Sequence, residues 1–379
     1  MDIAVVGAGV VGAAVAYRLA EAGARVTVLE AADHLGAGTS GRSFAWTNAN
    51  DKPPRAYHDL NVAGMRAHAA LRDEFGMLPW WHGGGSIDWF ATDAERAAQR
   101  AKVERLQAWG YAAEWITPQQ LHELEPDIDL AAVGDAPIAY YPEEGWLDPV
   151  PYLHGMLEAA QRHGAVVRTG ARVEQVHLAG GRVSGLSLQG GERLTTDVVV
   201  NCAGCWADTL EVADAPALRL PLAPTVGLLV LTPPVASCLH RIVRSPWIHL
   251  RPDGAGRLML HVDDGDAAVS AETEPSPTLA IAHDMARRVA GVLPGIGHVA
   301  PEAARIAVRP IPADGLAAVG PMPGVDGYYV VVTHSSVTLS PFLAHVVAGE
   351  LLHGAREAQL EPFRPSRLVD SRTPSGAPS

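Results

Sequence analysis

The chain has 379 residues, 48% of them hydrophobic and 19% charged, which is typical of a globular protein and excludes a disordered, collagen-like or coiled-coil chain. This length predicts two domains rather than one. The 42 acidic residues outnumber the 29 Lys and Arg and leave a formal net charge of -13, so the chain should repel nucleic acid and anionic lipid surfaces.

The N-terminus predicts no export, because Met1 and Asp2 lead directly into an apolar strand without a signal-type segment. No uncharged stretch is apolar enough to span a membrane; the longest, residues 327–348, contains several Ser, Thr and His. Three cysteines are too few for a disulfide framework and suit a reducing compartment. The sequence therefore predicts a cytoplasmic protein without a membrane span.

The first thirty residues predict a β-α-β unit. Ile3–Val6 is typical of a buried strand, Val10–Ala22 of a helix that ends at Gly23, and Arg25–Leu29 of a second strand. A G-x-G-x-x-G motif, residues 7–12, lies between this strand and this helix. A motif that follows a strand and opens a helix indicates a dinucleotide-binding turn.

Each glycine of the motif has a predicted role in binding a dinucleotide. Gly7 permits a tight turn, Gly9 lets the backbone approach a pyrophosphate, and Gly12 lets helix and strand pack closely. Glu30 ends the second strand at the spacing expected for an acid that accepts hydrogen bonds from ribose hydroxyls. An acid there repels a 2′-phosphate and disfavours NADP, which leaves NAD or FAD.

The middle of the chain has a different pattern. Asp93–Trp109 predicts an exposed helix, and Arg219–Leu231, Trp247–Leu250 and Leu258–Val262 predict strands of an antiparallel sheet. The segment Pro252–Gly256 predicts the turn between the last two strands.

Late in the chain, Tyr329–Val332 predicts a strand, and Ser340 followed by Pro341 predicts the N-cap and first residue of a helix. Cys202 and Cys205 form a C-x-x-C at the end of the apolar strand Val198–Val200. Without a second pair, this motif indicates small core residues more than a redox or metal site, although both interpretations stay open.

Dinucleotide-type signals recur at 197–208 and at 309–339, so the cofactor domain is predicted to be discontinuous. The predicted fold class is α/β, or α+β overall: a Rossmann-like dinucleotide-binding domain (1–83, 148–217 and 303–365) interleaved with an antiparallel-sheet substrate domain (84–147 and 218–302). Residues 366–379 are predicted to be a disordered tail.

Four further segments decide between the two cofactors: Gly36–Asn48, Ala171–Val173, Asn201–Ala207, and a last segment that runs from Arg309–Gly315 through Gly320 to Val331–Pro341. Together they resemble the D-amino-acid oxidase family of flavoproteins, which includes glycine oxidase, sarcosine oxidase and D-amino-acid dehydrogenase. The resemblance runs in order along nearly the whole chain and implies FAD as cofactor. It specifies the substrate much less closely.

The resemblance, together with the motif above, places a set of residues at the cofactor. They are Gly7, Gly9, Val10, Val11, Gly12, Glu30, Ala31, Thr39, Ser40, Arg42, Ser43, Phe44, Ala45, Trp46, Val173, Ala203, Gly204, Trp206, Arg309, Thr333, His334, Ser335, Ser336, Val337 and Thr338. Family members with covalent flavin carry a Cys near Arg309 or a His in the small-residue loop that follows Glu30. Here Val308 precedes Arg309, and the small-residue loop Gly36–Asn48 contains no His, which predicts non-covalent FAD.

Four residues are candidates for the chemistry. The family counterpart of Arg309 clamps a substrate carboxylate, which a planar guanidinium can do bidentately; the alternative is a plain salt bridge. His334 could orient the amine or be merely hydrogen-bonded, and His249 and Asn48 could contact the substrate or form the pocket wall. No metal site is predicted. Where glycine-oxidase-like sequences carry an Arg and Asn-Gly, this chain has His334, Ser335 and Ser336.

The resemblance implies an FAD-dependent enzyme that oxidises the C–N bond of an amino acid or secondary amine by hydride transfer to flavin N5, with O2 favoured as acceptor and H2O2 as product. Three alternatives stay open: a 2-hydroxy-acid dehydrogenase of the same fold, an FAD-carrying subunit of a hetero-oligomeric oxidase, and a plain NAD dehydrogenase. The partners expected are the substrate and an electron acceptor; the oligomeric state is left open.

Overall fold

The structure is a computed structural model that describes residues 1–76, 79–213, 215 and 219–369. The α-helices are α1 Val10–Glu21, α2 Arg55–Phe75, α3 Asp93–Ala108, α4 Pro118–Leu124, α5 Leu130–Val133, α6 Pro149–Arg162, α7 Asp263–Ala267, α8 Ala280–Val289 and α9 Ser336–His353. The strands are β1 Asp2–Val6, β2 Arg25–Leu29, β3 Trp46–Thr47, β4 Trp81–His82, β5 Ser86–Asp88, β6 Glu114–Ile116, β7 Ile138–Tyr141, β8 Gly145–Leu147, β9 Val166–Arg168, β10 Val173–Ala179, β11 Arg182–Leu188, β12 Arg193–Leu194, β13 Val198–Asn201, β14 Glu211–Val212, β15 Thr225–Leu231, β16 Ile242–Arg244, β17 His249–Asp253, β18 Arg257–His261, β19 Ala303–Arg309, β20 Ala318–Pro321 and β21 Tyr328–Val332. Among the described residues, no helix is both long and apolar enough to cross a bilayer.

A six-stranded sheet in the order β20-β21-β13-β1-β2-β9 organises the first domain. All its strand pairs are parallel except β20 with β21. The predicted β-α-β unit is confirmed, with bounds that differ from the prediction by one residue at most. Helix α1 is buried along almost its whole length between α6 and α9, which its many alanines permit.

An eight-stranded sheet in the order β19-β15-β18-β17-β16-β5-β7-β6 forms the second domain and is antiparallel except where β16 meets β5. The predicted hairpin is present: β17 and β18 pair from His249↔His261 to Asp253↔Arg257. Its bounds differ from the prediction, because β17 begins at His249 rather than Trp247 and continues through Pro252 and Asp253, which were predicted to lie in the turn. The strand predicted over Arg219–Leu231 is shorter, because β15 begins only at Thr225. The mixed α/β fold with an antiparallel second sheet agrees with the predicted class.

Two smaller sheets complete the fold. The four-stranded sheet β12-β11-β10-β14 packs over one face of the six-stranded sheet, and the three-stranded sheet β3-β8-β4 joins segments from both domains. The predicted exposed helix is α3, which ends one residue early and begins with a capping box between Thr92 and Glu95.

Two predicted domain limits differ from the structure. Strand β19 pairs with β15 along its whole length, so it belongs to the eight-stranded sheet and the last cofactor-domain segment begins after Arg309 rather than at 303. Residues 366–369 are ordered, since Arg367 forms an ion pair with Asp314 at 2.7 Å and the Val369 N–H donates to the Pro365 carbonyl. The limit predicted at 217 and the tail 370–379 lie outside the described residues.

The predicted start of the last helix is wrong. Helix α9 begins at Ser336, and Pro341 lies inside it. A proline in a helix leaves the carbonyl four residues earlier without its donor. Here that carbonyl, of Val337, lies 2.8 Å from His68 Nε2 and also accepts from Ser340 Oγ at 3.3 Å. A buried histidine from α2 thus satisfies the carbonyl that the proline leaves free, and the helix continues.

Candidate active site

The turn between β1 and α1 lines a cavity of about 340 Å³. Gly7 has φ of 97°, and a Cβ there would lie 2.6 Å from the carbonyl oxygen of Cys202. A Cβ at Gly12 would lie 1.9 Å from the carbonyl oxygen of Gly7. Only glycine therefore allows this turn to close against the end of β13.

The N-terminus of α1 is capped by a distant segment. Gly9 has no side chain to cap the helix, and Ser40 Oγ accepts a hydrogen bond from the Val10 N–H at 3.1 Å. A Cβ at Gly9 would lie 2.9 Å from the same oxygen. The small-residue loop Gly36–Asn48, which carries Ser40, thus contacts the start of α1. The other N–H groups in the first turn of this helix have no intrahelical partner, as in phosphate-binding helix ends.

Glu30 lies at the same cavity, directly after β2. Its carboxylate accepts hydrogen bonds from the backbone N–H of Ala8 at 2.9 Å and of Ala32 at 3.0 Å. The acid therefore fixes the glycine turn from below and brings negative charge to the cavity, where ribose hydroxyls can donate to it.

A second cavity, of about 520 Å³, lies between the start of α9 and the eight-stranded sheet. Thr39, Ser40, Pro310 and Ser336 line both cavities, so the two adjoin. Together they form a tract that runs from the glycine turn to the second domain.

The start of α9 is fixed by hydrogen bonds from three directions. Ser335 donates its N–H to Thr333 Oγ1 at 3.1 Å and accepts from the Tyr57 hydroxyl at 2.8 Å. Thr338 Oγ1 accepts from the Asn48 N–H at 3.3 Å. The Asn48 side-chain oxygen is buried and has no hydrogen-bond partner among the described residues, so a donor from a bound molecule would complete it.

Every predicted site residue except Gly12 lines one of the two cavities; Gly12 packs beneath the glycine turn. At the first cavity are Gly7, Gly9, Val10, Val11, Glu30, Ala31, Thr39, Ser40, Val173, Ala203, Gly204, Trp206, Thr333 and Ser336. At the second are Thr39, Ser40, Arg42, Ser43, Phe44, Ala45, Trp46, Asn48, His249, Arg309, His334, Ser335, Ser336, Val337 and Thr338.

Arg309 reaches the second cavity from the end of β19, and it is paired. Its Nη2 donates to Asp266 Oδ2 at 2.6 Å, and its Nη1 donates to the Val226 carbonyl at 3.2 Å. The guanidinium lies flat against Gly227, where a Cβ would be 2.6 Å from Nη2. The positive charge of Arg309 is therefore largely offset by its carboxylate neighbour.

Asp266 is the centre of a polar group that also contains two histidines. His261 Nε2 lies 3.0 Å from Asp266 Oδ2, and His249 Nδ1 lies 3.2 Å from His261 Nδ1. The Leu228 N–H donates to Asp266 Oδ1 at 2.7 Å. Although burial acts to raise it, these hydrogen bonds and the charge of Arg309 hold the pKa of Asp266 below its ordinary value.

Two cavity histidines are neutral at pH 7. Burial first, then the charges of Lys52 and Arg309, lowers the pKa of His334 to about 3. Burial, together with the charges of Arg244 and His261, holds the pKa of His249 well below its ordinary value. Neutral imidazoles can accept a hydrogen bond from an amine, which protonated ones cannot.

Comparison with known proteins identifies the family. The sequence profile described as "DAO: FAD dependent oxidoreductase" matches residues 2–350. The chain belongs to the DAO family. Family members of similar length include a glycine oxidase of Geobacillus kaustophilus (24% identical over 378 residues, 97% of each chain) and one of Pseudomonas aeruginosa (26% over 380 residues, 95% of this chain and 96% of that protein).

The solved structures share the fold. A crystal structure of glycine oxidase from Geobacillus kaustophilus superposes with a TM-score of 0.84 at 24% identity, over 97% of this chain and 98% of that one. Other relatives are much longer: the Mus musculus mitochondrial pyruvate dehydrogenase phosphatase regulatory subunit is 25% identical over 62% of this chain, which is only 26% of that protein. The chain thus spans about a quarter of the length of this relative.

The residues present fit the FAD that gives the DAO family its description. The first cavity has the glycine turn, the unpaired helix N–H groups and the acid that a nucleotide half requires. The second begins at the N-terminus of α9, whose positive end favours negative charge. A tract that joins the two suits an extended dinucleotide.

The cysteine pair lies beside the first cavity. Cys202 is buried, Cys205 is partly buried, and both are free thiols whose pKa burial raises. Raised pKa values keep thiols protonated and unreactive, which favours the core interpretation over a redox role.

Sequence reasoning missed several cavity residues that act through charge: Lys52, Arg244, His261, Asp263 and Asp266. Oxygen and nitrogen atoms of His261, Asp263 and Asp266 lie within 4.8 Å of one another, a spacing that a metal ion could use. Asp266 is already bound to Arg309, however, so an ion would have to displace the guanidinium. Asp263 and Asp266 belong to a run of acids that follows β18, and nothing in the sequence around them indicates that Asp266 pairs with Arg309.

Replacing Asp266 by Asn is expected to lower the free energy of unfolding by about 1–3 kcal/mol, because it removes the charged acceptor of Arg309 and the Leu228 N–H. Urea unfolding of the FAD-loaded protein measures this. Asp263→Asn is the matched control: Asp263 lines the same cavity but is exposed, and its substitution should change stability by less than about 0.5 kcal/mol. Equal losses in both variants would contradict the pairing.

Proposed function

We propose that the chain oxidises the carbon–nitrogen bond of an amino acid or secondary amine, with non-covalent FAD and with O2 as electron acceptor. The observation that carries this proposal is the adjoining of a nucleotide-type cavity with a polar cavity against the second domain. Relatives named glycine oxidase, matched over nearly their full length, favour an amino-acid substrate. The substrate loses a hydride and a proton to give an imine, which water hydrolyses, and O2 takes up two electrons and two protons to give H2O2.

FAD, when bound, supplies the hydride acceptor. The residues of the chain bind the cofactor and the substrate and orient them. Gly7, Gly9 and Glu30 would hold the nucleotide half, and the start of α9 would hold the flavin half. At the second cavity, neutral His334 can accept a hydrogen bond from the substrate nitrogen, and Asn48 Oδ1 can accept another. A strong base is not needed if the amine arrives unprotonated.

Non-covalent binding is supported by the residues at the two positions where the family attaches its flavin. Val308 precedes Arg309, and the loop 36–48 contains no His. We expect acid precipitation to release all the yellow colour into the supernatant. A yellow pellet would show a covalent bond.

The central test is an anaerobic substrate screen followed through the flavin absorption band. The purified protein should be yellow, and an amino acid or secondary amine should bleach it; admitting air should restore the band with formation of H2O2. If the FAD-loaded protein is bleached by 2-hydroxy acids and by no amine, the reaction is that of a hydroxy-acid dehydrogenase instead. If air fails to restore the band while an artificial acceptor does, O2 is not the acceptor.

A second candidate role is that of an FAD-carrying subunit. It is favoured by a relative from Agrobacterium tumefaciens that is named as one subunit of an opine oxidase and is 24% identical over 97% of this chain and 98% of that protein. Turnover by the isolated chain decides between the two. An FAD-loaded chain that every amine leaves yellow would favour the subunit role.

A further inference from the structure

The cations of the second cavity differ in how far they are neutralised. Arg309 is paired with Asp266, and Arg42 donates to the Ile306 carbonyl at 3.3 Å. Arg244 also lines this cavity, yet among the described residues its side chain forms neither a hydrogen bond nor an ion pair. Its Nε is buried and has no hydrogen-bond partner in the part of the chain that the structure describes. A buried guanidinium donor left unpaired is costly, so this site is incomplete without an acceptor.

The residues opposite Arg244 on the two neighbouring strands supply no negatively charged acceptor for its guanidinium. Arg244 ends β16, in register with His249 on one side and Asp88 on the other. Asp88 is committed elsewhere, since it accepts from Lys102 Nζ and from Gln99 Nε2, both at 2.7 Å. His249 is held neutral and carries no negative charge to offer. The positive charge of Arg244 is therefore directed at the cavity.

Trp46 holds the guanidinium in place. The Arg244 Cζ lies 5.3 Å from the centre of the Trp46 ring, a cation–π distance. The indole is fixed in turn, because its Nε1 donates to the buried carboxylate of Glu144 at 3.0 Å. A guanidinium that is stacked on a fixed ring and has free N–H groups is preorganised for a planar, bidentate anion.

We propose that Arg244, rather than the neutralised Arg309, is the main residue that binds the substrate carboxylate, so that the substrate is an amino acid with a free carboxylate and not a simple amine. This inference rests on the proposed function for its substrate and deepens it. In this interpretation Arg309 has a structural role, because it is paired with Asp266 and packs against Gly227 in the wall of the cavity.

The test compares the FAD-loaded wild type with Arg244→Gln and Arg244→Lys. Binding of benzoate and of neutral benzamide is followed by the shift of the flavin band. We expect Arg244→Gln to weaken benzoate binding by about 10- to 100-fold, the effect of one charged hydrogen-bond pair, and to leave benzamide binding unchanged. Arg244→Lys should recover part of the loss, because it keeps the charge without the fork.

Arg182→Gln is the matched control, because Arg182 is an exposed arginine of β11 that lines neither cavity. Its benzoate affinity should stay within about threefold of wild type. Four results would each overturn the proposal. Benzoate binding could be lost in the control variant alone, or the benzoate affinity of Arg244→Gln could be unchanged. Arg244→Gln could lose benzoate and benzamide binding equally, or the wild type could fail to bind benzoate. Melting temperature and FAD content identify a variant that is merely misfolded; in that case Arg244→Lys decides.

Kinetics separates this inference from the proposed function. The wild type should prefer an amino acid over the amine that lacks its carboxylate, and Arg244→Gln should lose that preference mainly through KM. If the wild type oxidises both equally well, the carboxylate site is wrong while the proposed function stands. If no amine bleaches the wild type but benzoate binding depends on Arg244, the proposed function fails and the carboxylate site stands.

Discussion

Gly12→Ala is expected to give a protein that binds FAD at least 100-fold more weakly, a loss of about 3 kcal/mol in binding free energy. The added Cβ would lie 1.9 Å from the Gly7 carbonyl oxygen and 3.3 Å from Cys202 Cβ. The first of these is backbone and cannot rotate away, so α1 must move from the turn that it closes. Overpacking of this kind costs about 1–3 kcal/mol of stability as well. The ratio of flavin to protein absorbance and the dissociation constant of the reconstituted protein measure the two effects.

Gly295→Ala is the control for this substitution. Gly295 is exposed, a methyl group added there would have no atom within 4 Å, and the residue lies in the short 3-10 helix Pro294–Ile296 far along the chain. We expect its FAD content to equal that of the wild type and its stability to change by no more than about 0.5 kcal/mol. A yellow, fully loaded Gly12→Ala protein would show that the turn is not the nucleotide site.

The sequence predicted the parts of this fold whose information is local. The β-α-β unit and the β17–β18 hairpin are each encoded by a continuous stretch in which apolar periodicity and turn residues agree. The glycine turn could be assigned for the same reason: its motif, strand and acid lie within thirty residues.

Long-range contacts account for what could not be predicted. The start of α9 was misplaced because a local capping rule for Ser340 and Pro341 is overridden by His68, a residue from a helix about 270 positions earlier. The pairing of Asp266 with Arg309 joins α7 to β19, and the stacking of Arg244 on Trp46 joins the two domains. No periodicity reports which acid offsets which arginine, so the distribution of charge in the cavity is visible only in the fold.

Glu144 offers the second large effect, because five donors converge on one buried carboxylate. Trp46 Nε1 and Asn50 Nδ2 donate at 3.0 Å, the Asn50 N–H at 3.2 Å, Ser86 Oγ at 2.6 Å and the Tyr111 hydroxyl at 2.7 Å. Glu144→Ala would leave these buried donors unpaired, and we expect a loss of about 3–5 kcal/mol in the free energy of unfolding. Since Trp46 lines the second cavity, FAD content should fall too.

The pH dependence of stability gives an independent measure of the same site. Burial raises the pKa of Glu144 from 4.5 to about 7, although its donors act in the opposite direction. A raised pKa means that the folded protein holds a proton that the unfolded chain has released, so the stability contributed by Glu144 falls as pH rises from 4.5 to 7 and is constant above. The expected fall is about 3 kcal/mol. In Glu144→Gln this fall should vanish, and the difference between wild type and variant in urea unfolding should shrink steadily across that range. Glu143, the exposed neighbour, provides the control: Glu143→Gln should keep the wild-type dependence of stability on pH. If Glu144→Gln also keeps that dependence, the carboxylate that titrates is not Glu144.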